Sequence, residues 1–192
     1  MEKKLLITIG RQFGSGGKQI ATSLAGMLDI PVYDNELLME AARSSGLSEE
    51  IFRCSDEKKR LFSFASAGQS AISEEKLFRI QSEVILSKAS QSSAVFVGRA
   101  ADYVLRDSRP IRIFVSAPLQ ERIRRVSTRA GISSAKALEL IRSKDKSRAA
   151  FYDFFTDRSW GRADSYDLCV DSSLLGIETT ASFIRDFCLK AR

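Results

Sequence analysis

The residues best suited to chemistry are four glycines and two cations between Gly10 and Lys18. This stretch reads Gly-Arg-Gln-Phe-Gly-Ser-Gly-Gly-Lys, with Arg11 near its start. Glycine lets a backbone fold tightly and turn its N–H groups toward an anion. A helix that starts behind such a loop adds a favourable field for negative charge at its N-terminus. The stretch therefore predicts a phosphate-binding loop, although a glycine-rich turn without a ligand has a similar composition.

The spacing of this stretch departs from the usual phosphate-loop pattern, which is Gly, four residues, Gly-Lys and then Ser or Thr. If Gly17 and Lys18 are the Gly-Lys pair, Gln12 takes the first glycine position and Gln19 takes the metal-binding hydroxyl position. In the other alignment Gly16 is the last glycine, so Gly17 takes the lysine position and Lys18 takes the hydroxyl position. Neither alignment satisfies the pattern, and the metal ligands remain unknown.

The loop must be positioned by the elements around it, and five short apolar runs have the character of strands. They cover residues 5–9, 30–33, 94–97, 111–115 and 166–170, with helical patterns between them. This alternation predicts an α/β fold, a parallel sheet with helices on both faces. Ligands of such sheets bind at the carboxyl ends of the strands. The glycine-rich loop, Asp34, Arg99 and Ser116 are therefore expected along one edge.

The connection between the second and third runs, residues 35–93, is too long for a simple crossover. Its patterns predict helices over 35–44, 48–54 and 73–90, which we interpret as a subdomain on the substrate side. Further helices are predicted over 120–128, 135–155 and 177–191. The chain length suits one domain over residues 1–192. Cys169 lies in the fifth apolar run and is expected in the core.

The charged residues favour a polyanionic ligand. Residues 99–148 hold 13 basic and 5 acidic side chains, a net charge of +8, within a chain whose net charge is +6. The sequence contains no histidine, which excludes Ser-His-Asp and Cys-His catalysis and His-ligated metals in this chain. Phosphoryl transfer suits the remaining side chains, because it depends mainly on positioning and on charge stabilisation. The sequence argues against nucleic acid as the ligand, since no recognised nucleic-acid motif accompanies the charge.

Other classes of protein are disfavoured by composition. The 3 cysteines are scattered, which argues against a disulfide framework and a cysteine-based zinc site. No apolar run approaches the ~20 residues of a membrane-spanning helix. The apolar run near the start is too short for a signal peptide. We therefore expect a cytoplasmic protein with reduced thiols and no membrane partner.

Taken together, these motifs resemble the cytidylate kinase-like family, relatives of the bacterial nucleoside-monophosphate kinases. The matching stretches are residues 10–18, Tyr33-Asp34, Val97-Gly98-Arg99-Ala100, and Asp145 with Arg148. The resemblance implies a three-layer P-loop NTPase fold with a five-stranded parallel sheet. It also implies a helical monophosphate-binding insertion over 35–93 and a helical lid over 133–162. The implied reaction transfers the γ-phosphoryl group of ATP to CMP or dCMP, with Mg²⁺.

The resemblance also implies roles for individual residues. The ATP phosphates would be bound by Arg11, Gly14, Ser15, Gly16, Gly17, Lys18 and Gln19. The acceptor nucleotide would be bound by Asp34 and Arg99, with Arg142 and Lys144 as weaker candidates. Lys18, Asp145 and Arg148 would be catalytic, Asp145 on the cytidine side and Arg148 as a clamp on the phosphates. An arginine suits that task because its planar fork can bind two phosphate oxygens.

The sequence departs from the family pattern at several of its charged positions. Cytidylate kinases have Asp where this chain has Ala100, and an arginine of their lid corresponds to Ile141. An arginine of this kind is worth about 10³–10⁵ in rate in related chemistry. Two functions are therefore consistent with the sequence. One is a nucleotide kinase; the other is a nucleotide-binding regulatory protein with little or no kinase activity.

Overall fold

A computed structural model describes residues 4–37 and 74–191, and its centre is a five-stranded parallel sheet. The strands are β1 (Leu6–Arg11), β2 (Val32–Tyr33), β3 (Ala94–Val97), β4 (Ile111–Ser116) and β5 (Leu168–Asp171). Their order across the sheet is β2-β3-β1-β4-β5. The predicted parallel α/β sheet is confirmed. Because β1 lies at the centre of the sheet, the glycine-rich loop that follows it lies between the loops of its neighbours.

Helices cover both faces of the sheet. They are α1 (Gly17–Leu28), α2 (Glu74–Gln91), α3 (Ala101–Val104), α4 (Leu119–Ala130), α5 (Ser134–Thr156) and α6 (Ser172–Ala191). Gly176 interrupts α6 with a φ of 73°, so its main part starts where the sequence predicts a helix. The helices predicted over 35–44 and 48–54 lie outside the described residues, apart from residues 35–37.

Both faces of the sheet are buried, which explains why the strands read as continuous apolar runs. On one face, Ile7 and Ile9 of β1 pack with Ile20 and Leu24 of α1 and with Ile184 of α6. All five of these side chains have no exposed surface. On the other face, Phe96 of β3 packs with helices α2 and α3. The core therefore fixes both ends of the glycine-rich loop, the end of β1 and the start of α1.

Helices α4 and α5 form a hairpin beside the loop. Gly131 ends α4 with a φ of 63°, and the Ser133 hydroxyl accepts a hydrogen bond from the backbone of α5 at 3.4 Å. Val126, Ala137 and Ile141 form a separate apolar cluster between the two helices. Most of the region predicted as a lid is therefore one long helix, α5, that packs on α4.

Cys169 does not lie in the core, so this expectation is wrong. Leu168 and Val170, its neighbours in β5, pack against the main core, whereas Cys169 is exposed. Alternate side chains of a strand point to opposite faces of the sheet, and β5 is an edge strand. Within residues 4–37 and 74–191, no helix is long and apolar enough to cross a membrane.

Candidate active site

The glycine-rich loop turns from the end of β1 at Arg11 into helix α1 at Gly17. Gly14 and Gly16 have φ values of +81° and +82°, which side-chain-bearing residues rarely adopt. Gly16 precedes α1, and no side chain caps this end of the helix. The first N–H groups of a helix have no partner within the helix. This end of α1 is therefore suited to binding an anion, as the sequence predicts.

Two arginines hold the carbonyl groups of the loop. Arg148 donates a hydrogen bond from Nη1 to the carbonyl of Arg11 at 2.9 Å, and Arg125 donates one from Nη1 to the carbonyl of Ser15 at 3.0 Å. The Ser172 hydroxyl donates to the same Ser15 carbonyl. Side chains from α4, α5 and α6 therefore fix two carbonyl groups of this connection.

Asp145 also binds the backbone of the loop. Its Oδ1 accepts a hydrogen bond from the N–H of Phe13 at 2.7 Å, and its Oδ2 pairs with Nη1 of Arg122 at 2.6 Å. The two paired side chains are only 17% and 10% exposed. The structure therefore places Asp145 at the loop, between helices α4 and α5. Its role on the cytidine side stays a prediction.

A cavity of ≈ 470 Å³ lies over the loop. Its lining includes Arg11, Gly14, Gly16, Gly17, Lys18, Gln19, Arg125, Arg129 and Arg148. The guanidinium carbons of Arg129 and Arg148 lie 5.6 and 5.5 Å from the centre of the Phe13 ring. Ser15 is fully buried, and its hydroxyl bonds to the carbonyl of Gln12 at 2.9 Å. The structure thus brings together all the predicted phosphate-binding residues except the Ser15 side chain, and we name this space the loop cavity.

A second cavity of ≈ 260 Å³ lies beside the first, beneath the loop that follows β3. Its lining includes Asn35, Gly98, Arg99, Asp102, Phe151, Tyr152, Trp160 and Tyr166. Arg99 donates a hydrogen bond from Nε to Oε1 of Gln81 at 2.7 Å, and its guanidinium carbon lies 4.3 Å from the centre of the Phe151 ring. We name this space the inner cavity. It contains one predicted acceptor residue, Arg99.

Arg11 and Arg148 line both cavities and therefore lie at their boundary. Burial and the nearby charges of Arg148 and Arg99 lower the pKa of Arg11 to about 9. Burial also lowers the pKa of Arg148. With a pKa of about 9, Arg11 stays protonated at neutral pH. The boundary between the cavities is thus a partly buried, positively charged region.

Asp34 and Lys18 form an ion pair at the edge of this region. The Lys18 Nζ lies 2.6 Å from Oδ2 of Asp34, while Oδ1 of Asp34 accepts the N–H groups of Glu36 and Leu37 at 3.0 and 3.1 Å. Burial alone would raise the pKa of Asp34, but the hydrogen bonds from Lys18 and the backbone outweigh it and lower the pKa. The hydrogen bond to Asp34 raises the pKa of Lys18. The structure therefore brings these two predicted site residues together.

The residues at the loop do not fit the usual magnesium site of a P-loop. In the described residues no group of three or more His, Cys, Asp or Glu side chains could hold a metal ion. The carboxylates nearest the start of α1, Asp34 and Glu36, are bound by the Lys18 ammonium. Mg²⁺ is commonly held by substrate phosphates and water with only one or two carboxylates. No protein-built magnesium site is therefore assigned.

Arg142 and Lys144 are not brought to the site. Both side chains are exposed on α5, and neither lines the loop cavity or the inner cavity. Ile141, which takes the position of an expected lid arginine, is 1% exposed in the cluster between α4 and α5. Acceptor binding by Arg142 and Lys144 stays a prediction without a contact to support it.

Several residues of the site were missed by sequence reasoning. Arg122 and Arg125 donate to the Phe13 and Ser15 carbonyls of the loop, and their spacing of three residues on a helix is the only sequence signal for them. In the inner cavity, the Tyr152 hydroxyl donates to Oδ2 of Asp102 at 2.6 Å. Burial raises the pKa of both Asp102 and Tyr152. These two residues are 50 positions apart, so no local pattern joins them.

A central strand, a glycine-rich loop and a helix beneath an arginine-lined cavity define the phosphate site of a P-loop protein. The chain belongs to the cytidylate kinase-like family, whose model matches residues 6–174.

Individual relatives agree with this placement. A cytidylate kinase of Pyrobaculum calidifontis is 24% identical over 184 residues, 95% of this chain and 92% of that protein. The crystal structure of an uncharacterized protein from Eubacterium ventriosum has a TM-score of 0.78 and 27% identity, covering 98% of this chain and 100% of that one. Shikimate kinase from Acinetobacter baumannii has a TM-score of 0.55 at 15% identity, covering 98% and 96%. The predicted P-loop kinase fold is confirmed.

Proposed function

We propose that this protein is a phosphotransferase that moves the γ-phosphoryl group of ATP to a nucleoside monophosphate, with CMP or dCMP as the first acceptor to test. The observation that carries the proposal is the boundary between the two cavities. Arg11 and Arg148 line both, so an anion passing from one cavity to the other meets both guanidinium groups. A kinase needs this arrangement because the transferred group bridges donor and acceptor.

The ATP phosphates would lie in the loop cavity, against the N–H groups of the loop and the start of α1. The Arg148 guanidinium is already held by the carbonyl of Arg11, so it needs little reorganisation to stabilise charge in the transition state. Asp145 and Arg125 would keep the loop in place. Mg²⁺, where present, would arrive with the ATP phosphates and neutralise part of their charge.

The acceptor would lie in the inner cavity. Arg99 is oriented by Gln81, whose Nε2 donates to Oδ1 of Asn35 at 3.0 Å, and this network would hold the acceptor phosphate. Phe151 and Trp160 offer ring faces for a base, and Asp102 offers a polar group. The names of curated relatives, such as the Pyrobaculum cytidylate kinase, support cytosine as the base. We propose that residues 35–93 complete this side as an insertion and that residues 133–162 act as a lid.

An assay of ADP release across nucleoside monophosphates and small alcohols tests the proposal. We expect turnover with CMP or dCMP, and a loss of roughly 10³-fold in kcat/KM for Arg148→Ala, because an arginine that binds transition-state charge contributes on this scale. Lys146→Ala is the matched control, since Lys146 is an exposed cation on the same helix that lines neither cavity. No turnover above background with any acceptor would overturn the proposal.

The second candidate is a nucleotide-binding regulatory protein with little or no kinase activity. The observation that favours it is Lys18, whose ammonium group is bound by the carboxylates of Asp34 and Glu36 and is therefore already neutralised. Calorimetry separates the candidates. ATP binding that is indifferent to Mg²⁺, without turnover, favours the regulatory protein, and strong dependence on Mg²⁺ favours the kinase.

A further inference from the structure

We propose that Arg11 supplies the phosphate-binding charge that a lysine supplies in standard phosphate loops, and that Gly17 has no side chain because Arg11 fills its place. The proposal rests on the proposed function only in taking ATP as the ligand of the loop cavity. It assigns the donor-side cation to the last residue of β1 rather than to the first turn of α1.

The steric evidence begins at Gly17, the first residue of α1. A Cβ atom built on Gly17 would lie 2.5 Å from Cβ of Arg11 and 3.0 Å from its Cγ. Carbon atoms that are not bonded are in contact at about 3.5–4.0 Å, so even an alanine at this position would overlap the arginine. The space beside the first turn of α1 is therefore already occupied by the stem of Arg11.

A second glycine makes room for the other end of the same side chain. Gly98 follows β3 and has a φ of +72°, and a Cβ atom there would overlap Nη1 of Arg11. Arg11 thus extends from Gly17 to Gly98, and its guanidinium reaches the boundary of the loop cavity and the inner cavity. Gly17 after β1 and Gly98 after β3 therefore both leave room for the Arg11 side chain.

The charge of Arg11 is available to a ligand. In the part of the chain that the structure describes, its guanidinium has no hydrogen-bond acceptor and no ion-pair partner. The charges of Arg148 and Arg99 lower its pKa more than the charge of Asp34 raises it. Lys18 differs, because its ammonium group is paired with Asp34 and Glu36 and its side chain is 63% exposed. Of these two cations, Arg11 is the one that a phosphate would neutralise.

The burial of the Arg11 guanidinium also favours a role in binding phosphate. A buried charge without a partner is costly, and such a group beside a cleft is characteristic of a functional site. Burial and the neighbouring arginines lower the pKa of Arg11 to about 9, which leaves it protonated at neutral pH. A phosphate placed between Arg11 and Arg148 would relieve their mutual repulsion. The unfavourable proximity of the two guanidinium groups becomes a favourable contact in the complex.

The proposal predicts that a lysine at position 17 can replace the charge of Arg11 once the Arg11 side chain is removed. Arg11→Met keeps the length of the stem but removes the charge, and we expect it to weaken ATP binding at least tenfold by calorimetry. Gly17→Lys alone is expected to weaken binding as well, because the new side chain overlaps Arg11. Because the closest contact of a Cβ at position 17 is with Cβ of Arg11, residue 11 must become glycine to make room. The double variant Arg11→Gly with Gly17→Lys is expected to bind ATP at least tenfold more tightly than Arg11→Gly. Circular dichroism melts confirm that each variant is folded.

Arg106→Met is the control, since Arg106 is an exposed arginine outside both cavities. Unchanged ATP affinity in Arg11→Met overturns the proposal, as does a double variant no better than Arg11→Gly, or a parent protein that does not bind ATP. Failure of the proposed kinase function gives a different result. The parent would then bind ATP without turning over any acceptor, and Arg11→Met would still weaken that binding.

Discussion

Asp145 connects three parts of the active site through one carboxylate. It accepts the N–H of Phe13 from the loop and pairs with Arg122 from α4, while its own backbone belongs to α5. Removing one partner of a buried pair leaves the other charge uncompensated, which costs about 3–5 kcal/mol. Because Asp145 contacts the loop and not either cavity, it is a positioning residue in this account.

Replacing Asp145 by Ala is expected to lower the free energy of unfolding by about 2–4 kcal/mol, since it leaves Arg122 and the Phe13 N–H without their acceptor. Urea denaturation measures this change. Asp186→Ala is the control, because Asp186 forms an exposed pair with Arg185, and such pairs contribute about 0–1 kcal/mol. An Asp145→Ala protein as stable as the parent would contradict the role assigned to this carboxylate.

At the scale of elements, helices α4 and α5 act as the support of the β1–α1 loop. Arg125 from α4 reaches the Ser15 carbonyl and also the Ser172 hydroxyl, at 3.0 and 2.9 Å. Arg125 thereby joins the loop to the start of α6. These contacts fix the Ser15 carbonyl and with it the conformation of the loop before a ligand binds.

Arg125→Met is expected to release the loop, because it removes the guanidinium contacts to Ser15 and Ser172 while keeping a stem of similar length. Hydrogen exchange of the amides over residues 12–16 should become at least tenfold faster, while exchange in β3 should stay unchanged. Lys136→Met, an exposed substitution on α5, is the control. Equal exchange rates in the loop of Arg125→Met and parent would show that α4 does not support it.

The helices and strands could largely be predicted from the sequence, because apolar runs and the positions of glycines depend on local structure. The order of the strands could not, since it depends on pairing between distant segments. The contacts of Arg122 and Arg125 depend on which face of α4 turns to the loop, and this depends on the packing of Val126 in the cluster between α4 and α5. Cys169 was misplaced for a related reason, because an apolar run does not reveal that its strand lies at an edge.

At the scale of the whole molecule, only part of the excess positive charge of residues 99–148 lies at the two cavities. Arg99 and Arg148 from this block meet Arg11 from β1 around the boundary of the two cavities. Other members of the block, such as Arg142 and Lys144, face solvent. The polyanion site is therefore formed by Arg11, Arg99 and Arg148, which folding brings together, and not by the whole of the basic block.

ATP affinity is expected to fall as the pH rises through about 9, the pKa that burial and the charges of Arg148 and Arg99, partly offset by Asp34, give Arg11. The direction of this change in affinity follows from the charge of the Arg11 guanidinium. Below this pH Arg11 is protonated and attracts phosphate; above it the neutral form gains population. Calorimetry at pH 7.5 and pH 10 measures the change, and Arg11→Met should show a smaller loss than the parent. Equal losses in both proteins would contradict this assignment.

The most direct test of the account is to follow the phosphoryl group itself. Phosphorus NMR of the protein with ATP, Mg²⁺ and CMP should show ADP and CDP appearing in equal amounts, because the group passes between the two cavities without release to water. Inorganic phosphate without CDP, or no change in the ATP signals at all, would contradict the claim that this chain transfers a phosphoryl group to CMP.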